Sequence, residues 1–237
     1  MRAFIFAAGR GERMRPLTDS VPKPLLTVGG RPLIVWHIER LAAAGFRDLV
    51  INTAWLGGQI EAALGDGSRW RVRIRWSRET EALETAGGIA YALQLLDDEP
   101  FLSVSADIFS DYDYARLVPR LETMRLDASA PDAHLVMVPN PPFHPKGDFA
   151  LRPDGLLALD GGEKYNYAGF SLHRPALFRD IVPGTKRAMR PIWDALIPAG
   201  RATGELHTGC WENIGTPGQL AELNERFAAT NGDAPKA

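Results

Sequence analysis

Apolar residues in the first half of the chain come in short bursts separated by amphipathic stretches. Ala3 to Ala8 (AFIFAA) is a continuous apolar run of strand length ending in Gly9, the pattern of a strand buried on both faces. From Pro32 to Ala44, the residues Leu33, Ile34, Ile38 and Leu41 fall on one helical stripe, and Gly45 stands where a helix would stop. Asp48 to Thr53 (DLVINT) reads as a second strand, and Leu56 to Leu64 as a second helix closed by Gly65. Val72 to Trp76 (VRIRW) alternates in strand fashion. Gly87 to Leu96 predicts a third helix, and Phe101 to Val104 (FLSV) a further strand running into Asp107. Strand and helix alternating through short connections predict an α/β protein with a mixed, mostly parallel sheet and helices on both faces.

The second half is less regular. His134 to Val138 and Asp148 to Leu151 read as strands around a proline-rich loop, PNPPFHPKG, and PDG at 153–155 is a hairpin-type turn. Asn166 to Leu172 is another strand, and helices are expected over Pro191 to Ala199 and Gly218 to Ala229. No repeat or linker divides the chain, so a single domain is expected over 1–229, with 230–237 (TNGDAPKA) as a frayed tail.

A chain of 237 residues buries a sizeable core without staples. Its 27 basic and 29 acidic residues are spread evenly, giving a net charge of -2. That balance argues against nucleic acid or a membrane surface as a partner. Cys210 is the only cysteine, which rules out an intrachain disulfide, fits a reducing compartment and reads as a packing residue. No apolar run approaches the ~20 residues of a membrane span. Charges at Arg10 and Glu12 interrupt any signal-peptide core. The expectation is a cytoplasmic monomer or small homo-oligomer.

The richest chemistry lies in FAAGRGERMRPLTDSVPKPLLTVGGRPLI, residues 6–34. Gly9 and Gly11 follow a strand and let backbone amides approach a ligand without Cβ obstruction. Successive amides in such a turn make a polyphosphate cradle. Arg13 adds a permanently charged planar fork, and Lys23 a point charge held between Pro22 and Pro24. The segment is not a dinucleotide fingerprint, because Met14 stands where GxGxxG needs its third glycine, and no GK[ST] occurs. His37, His134, His144, His173 and His207 are scattered without the HExxH spacing of a zinc site.

The whole segment resembles the signature of the sugar-1-phosphate nucleotidyltransferases, AAGxGxRxxPLTxxxPKPLxxVxxxPLI. It agrees at Ala7, Ala8, Gly9, Gly11, Arg13, Pro16, Leu17, Thr18, Pro22, Lys23, Pro24, Leu25, Val28, Pro32, Leu33 and Ile34. The resemblance implies a Rossmann-like nucleotidyltransferase fold. It also implies a nucleotide site built on Ala8, Gly9, Gly11, Glu12, Arg13 and Lys23, with Arg13 and Lys23 offsetting charge at the α-phosphate. LETAGGIAYAL resembles the family's ETGGGxxxAL element, which places Gly87 and Gly88 at the base and sugar, with Ala86 replacing its first glycine. Glu79 is a further base-contact candidate.

FLSVSADIF resembles the strand that ends xxNGDxF, so Asp107 becomes the Mg2+ ligand and a catalytic residue with Arg13 and Lys23. Ser105 and Ala106 replace the family's Asn-Gly pair, leaving Ser105 as a sugar contact of shorter reach. CWENIGTPGQL resembles WxDxGTPxxL and puts Asn213 at the second metal position, with Glu212 facing the other way along a strand. HPKGDFAL and GGEKYNYAGF resemble sugar-site stretches and nominate Asp148, Glu163 and Asn166.

The family relationship implies a nucleoside triphosphate and a sugar 1-phosphate as partners, Mg2+ as cofactor and pyrophosphate as product. Across its length the chain most resembles the N-acetylmuramate-1-phosphate uridylyltransferase branch, which implies UTP and that sugar. A mannose- or heptose-1-phosphate guanylyltransferase is the alternative, and a non-catalytic nucleotide-binding regulator of the same fold the third.

Overall fold

A computed structural model describes residues 1–229; the frayed tail expected at 230–237 lies outside the described residues. The strands are β1 (Arg2–Phe6), β2 (Thr27–Val28), β3 (Arg31–Pro32), β4 (Asp48–Thr53), β5 (Arg73–Arg78), β6 (Phe101–Ser105) and β7 (Ile108–Ser110). They continue with β8 (Ala133–Val138), β9 (Phe149–Leu151), β10 (Leu157–Ala158), β11 (Lys164–His173), β12 (Ala202–Leu206) and β13 (Trp211–Asn213). The helices are α1 (Leu17–Ser20), α2 (Leu33–Ala43), α3 (Gly57–Leu64) and α4 (Glu84–Tyr91). After them come α5 (Leu93–Leu96), α6 (Val118–Leu126), α7 (Arg190–Leu196) and α8 (Pro217–Ala229).

A nine-stranded mixed sheet organises the chain, running β10-β9-β11-β6-β1-β4-β5, with β8 joined to β11 and β12 to β8. Strands β6, β1, β4 and β5 are parallel, while β11 enters antiparallel against β6. The apolar run of β1 has the predicted cause: Ala3 and Ile5 face one core and Phe4 the other. Helices α2, α3 and α6 bring Ile38, Ile60 and Leu121 to the first core. Helices α4 and α7 bring Ile89 and Trp193 to the second. A third cluster joins Met14, Val28 and Phe109 to Leu223 and Phe227 of α8, so the last helix packs beneath the first loop. Cys210 belongs to that cluster, and burial pushes its thiol pKa up.

Several elements escaped the periodicity argument. Helix α6 starts VPR, with proline in its first turn, and carries few apolar residues on its stripe. Strands β7, β12 and β13 are short or polar, and pairing with β8 or with each other defines them. The expected Gly87 helix starts earlier, at Glu84, and gives way to α5 after Tyr91. The turn at 153–155 joins β9 to β10 as an antiparallel hairpin, with Gly155 at φ 80.

One buried histidine ties α2 to β7 and to Tyr114. His37 Nδ1 lies 2.8 Å from the Tyr114 hydroxyl and Nε2 lies 2.7 Å from the Ile108 carbonyl, which fixes a neutral ring donating from Nε2. Burial draws its pKa down from 6.5 to about 4. The unfolded chain takes up that proton near 6.5, so this stability is full above 6.5 and drains as pH falls towards 4, roughly 3 kcal/mol in all. Urea unfolding at pH 7 and pH 4.5 is expected to show a shallower pH slope for His37→Gln than for the wild type. Equal slopes would remove His37 as the source.

Candidate active site

In open α/β sheets, ligands settle at the carboxyl ends of strands, where the chain reverses its direction across the sheet. Here that point is β1, with β4 on one side and β6 on the other. A cavity of about 520 Å³ opens there, lined by the first loop, Asn52, Glu79, the 82–85 turn and Ser105 to Asp107.

The loop is shaped by Gly11, which sits at φ 68, a conformation glycine adopts without penalty. A Cβ there would also come within 3.1 Å of the Lys23 Cβ, so the lysine stem lies directly across it. Braces hold the turn from outside. The Thr18 hydroxyl donates to Gly11 O at 2.9 Å, and Trp55 Nε1 donates to Thr18 O at 3.0 Å. The Arg10 guanidinium stacks on the Trp55 ring at 3.7 Å. Ala8, Gly9, Gly11, Glu12 and Arg13 all line the cavity. Among the described residues, the amides of Gly9, Gly11, Glu12 and Arg13 have no partner, so they remain available to an anion.

Lys23 Nζ meets Asp107 Oδ2 at 2.6 Å, with the lysine side chain 9% exposed and the carboxylate 39%. Arg13 has no carboxylate partner among the described residues. Its guanidinium borders Gly215, where a Cβ would lie 3.2 Å from Nη1. The loop, the lysine turn and the β6 terminus thus converge on one space, as do Arg13, Lys23 and Asp107.

Asn52 and Glu79 form the far wall. Asn52 Oδ1 accepts from Ala7 N at 2.7 Å, and its Nδ2 donates to Glu79 Oε1 at 2.7 Å. Glu79 Oε2 accepts from Leu83 N at 2.9 Å. Burial pushes the Glu79 carboxyl pKa up, against the lowering effect of those two donors. Both of its oxygens are engaged, so Glu79 shapes the 79–83 turn as well as lining the cavity. In the sequence Asn52 is marked only as an amide following the apolar run Leu49 to Ile51, whose residues the fold buries fully.

Gly87 and Gly88 stand behind this wall and do not line the cavity. A Cβ on Gly88 would come within 2.9 Å of both Asn52 Nδ2 and Glu79 Oε1. A Cβ on Gly87 would overlap the Thr185 carbonyl and come within 3.0 Å of Arg187 N. The first amides of α4 are taken: Ala86 N and Gly87 N both donate to Arg187 O, at 2.9 and 3.0 Å. Arg187 N donates to Leu83 O at 3.0 Å and Met189 N to Thr85 Oγ1 at 3.0 Å. Residues 185–189 therefore strap the cavity rim to α7.

Of the sugar candidates, Ser105 lines the cavity, beside Gly169 of β11. The register of β11 against β6 runs from Phe170↔Val104 to His173↔Phe101. Residues before Phe170 consequently continue past the carboxyl end of β6, and Asn166 lies on that extension. Asp148 lies beside it: Oδ2 accepts from Tyr167 N at 2.8 Å, and Oδ1 is 3.3 Å from His144 Nε2. Asn166 is buried and donates to Tyr167 O at 2.9 Å. Glu163 is exposed, accepting from the Tyr165 hydroxyl at 2.9 Å. None of these three lines the main cavity.

A divalent cation fits the residues at the β6 end. Strands β7 and β13 pair Asn213 with Ile108, and Ile214 N donates to Asp107 O at 3.1 Å, which brings the two segments together. Asn213 Oδ1 is buried without a hydrogen-bond partner, so it keeps an unused acceptor, although Asn213 is not among the residues that line the cavity. Asp107 has no hydrogen bond to Oδ1 among the described residues. Glu212 points the other way, into an ion pair with Arg226 at 2.6 Å. Oxygen donors of this kind suit Mg2+, which keeps several waters. The described residues contain no cluster of three or more His, Cys, Asp or Glu that could form a protein-only metal cage. Asn213→Asp is expected to tighten divalent-cation binding several-fold by adding a charge; an unchanged Mn2+ titration would exclude Asn213 as a ligand.

No helix among the described residues is long and apolar enough to cross a membrane.

Comparison with known proteins places the chain in a family. A family model described as nucleotidyl transferase matches residues 2–140. The N-acetylmuramate alpha-1-phosphate uridylyltransferase of Neisseria meningitidis serogroup B is 47% identical over 225 residues, covering 94% of this chain and 96% of that protein. Its counterpart from Caulobacter vibrioides is 33% identical, over 95% of this chain and 96% of that one. A mannose-1-phosphate guanyltransferase of Aspergillus fumigatus is 31% identical over 98% of this chain and 69% of its own length. Among solved structures, a Bacillus anthracis protein described as a glucose-1-phosphate thymidylyltransferase superposes with a TM-score of 0.83 at 19% identity, covering 99% of this chain and 96% of that one. That likeness carries the fold, and the sequence matches carry the relationship: the chain belongs to the nucleotidyl transferase family, as one of its sugar-1-phosphate nucleotidyltransferases.

Proposed function

We propose that this protein transfers UMP from UTP to N-acetylmuramate 1-phosphate and releases pyrophosphate, with Mg2+ as cofactor. The observation that carries the reading is the convergence of unpaired loop amides, Arg13, Lys23 and Asp107 on one cavity. The choice of substrates rests on the end-to-end match to relatives named for that reaction.

In this reading Ala8, Gly9, Gly11 and Glu12 wrap the triphosphate. The sugar 1-phosphate oxygen forms a bond to the α-phosphorus as the bond to the bridging oxygen of the leaving pyrophosphate breaks. The nucleophile is already an anion at neutral pH, so no residue need remove a proton. The chain's task is to hold two anions in line, and Arg13 and Lys23 lower the repulsion between them. Asp107 and Asn213 hold Mg2+, which supplies charge neutralisation on the phosphate oxygens. Asn52 and Glu79 fix the base wall, and Gly87 and Gly88 let α4 and its strap pack tightly behind it. Ser105 meets the sugar from β6, with Asp148, Asn166 and Glu163 on the β11 side.

Pyrophosphate release across four triphosphates and a panel of sugar 1-phosphates tests the proposal. Turnover is expected with UTP and N-acetylmuramate 1-phosphate. Turnover confined to GTP with mannose 1-phosphate would move the protein to the guanylyl-transferring branch. Binding of UTP without any turnover would make it a regulator.

A further inference from the structure

The contact between Lys23 and Asp107 joins two residues to which the proposed function gives different ligands, a phosphate and a divalent cation. An ammonium 2.6 Å from Asp107 Oδ2 places a positive charge on the carboxylate that would receive a divalent cation, and commits one of the lysine's three donors there rather than to a phosphate. The pairing is built in. Pro22 and Pro24 flank the lysine, the 3-10 turn Lys23–Leu25 fixes its backbone, and its stem lies across Gly11. Only 9% of the lysine side chain is exposed, so solvent offers its charge little alternative. The pocket therefore holds an internal cation on the carboxylate that the proposed function gives to the metal.

We infer that Lys23 serves as a resident stand-in for the divalent cation on Asp107, and that cation and nucleotide bind cooperatively because each displaces or captures it. The inference rests on the proposed function for the identity of the ligands. With a divalent ion on Asp107, like charge expels the ammonium from Oδ2, and the nearest anion for it is the nucleotide's phosphate. With a nucleotide bound, Lys23 is drawn to the phosphates and leaves the Asp107 carboxylate with its full negative charge for the ion. Coupling of this kind is reciprocal: the factor by which the ion tightens nucleotide binding equals the factor by which the nucleotide tightens ion binding. In the empty protein the pair keeps both charges compensated, so the cavity does not hold a bare carboxylate or a bare ammonium.

Two binding measurements without turnover test it. Mn2+ binding to the nucleotide-free protein, read by electron paramagnetic resonance, is expected to be at least about fivefold tighter in Lys23→Met than in the wild type, the low end of ordinary coupling. UTP binding in EDTA, read by calorimetry, is expected to be tighter by a similar factor in Asp107→Asn, because Lys23 is released from its partner. Equal or weaker Mn2+ binding in a folded Lys23→Met, or weaker metal-free UTP binding in a folded Asp107→Asn, would overturn the exchange. Should Lys23→Met not fold, the Asp107→Asn arm decides alone. Failure of the wild type to bind UTP under any condition would instead strike the proposed function, so the two failures are separable.

Discussion

Lys23→Met is expected to lower kcat by about 10²–10³-fold while the protein stays folded. The substitution keeps the length of the stem across Gly11 and removes only the ammonium. A charge aimed at the reacting phosphate in a confined site contributes about 3–4 kcal/mol to the barrier when removed, which converts to that loss in rate. The structural effect is much smaller. Its partner Asp107 is 39% exposed, so water takes over much of the carboxylate's solvation, and removing the buried ammonium itself leaves no uncompensated charge in the interior. Steady-state pyrophosphate release beside a thermal melt makes the separation. A folded Lys23→Met with wild-type turnover would take Lys23 out of the chemistry, and with it the reading of the cavity as a phosphoryl-transfer site.

The residues of that cavity were legible because they are local. The strand, the glycines, Arg13 and Lys23 lie within one 29-residue segment, 6–34, where the backbone demands of the loop and its charges are written side by side. Asp107 was legible for a related reason: an apolar strand ending in a carboxylate places that group at the sheet's ligand edge. What escaped was set by contacts distant in sequence. Asn52 is one polar letter in an apolar strand, and its value emerges only when Ala7 N and Glu79 arrive from elsewhere. Asn213 read as a weakened copy of a carboxylate, whereas the structure adds an orphaned buried oxygen. Helices α2 and α8 meet because Trp36, Phe109 and Phe227 pack ring to ring, which no local pattern encodes. The strap at 185–189 is the extreme case. It lacks an apolar stripe, is exposed along residues 182–188 and holds its place through backbone bonds to a segment a hundred residues away.

Gly87 shows how that strap matters, and Gly87→Ala is expected to destabilise the fold by about 3–5 kcal/mol. Two opposing effects compete at this position. Helix propensity favours alanine over glycine inside a helix by about 1 kcal/mol, so an open position in α4 would gain stability. Space opposes it, because the new Cβ would overlap the Thr185 carbonyl and sit 3.0 Å from Arg187 N and 3.2 Å from the Leu83 Cβ. Two of those neighbours are backbone atoms, which cannot rotate away. Relief requires the strap to lift, and lifting it breaks the bonds from Ala86 N and Gly87 N to Arg187 O and from Arg187 N to Leu83 O. Each such bond contributes about 1 kcal/mol, and overpacking adds about 1–3 kcal/mol, so the clash wins over propensity. Gly58 is the matched control: it lies in α3 with nothing within 4 Å of a built Cβ, and Gly58→Ala is expected to be neutral or up to about 1 kcal/mol stabilising. Gly88→Ala separates function from fold, since its Cβ would press on Asn52 Nδ2 and Glu79 Oε1 and should raise the KM for UTP at little change in Tm. Urea unfolding of the three variants reads the ranking. A Gly87→Ala protein as stable as Gly58→Ala would mean that the strap yields without loss and does not hold the rim of the cavity.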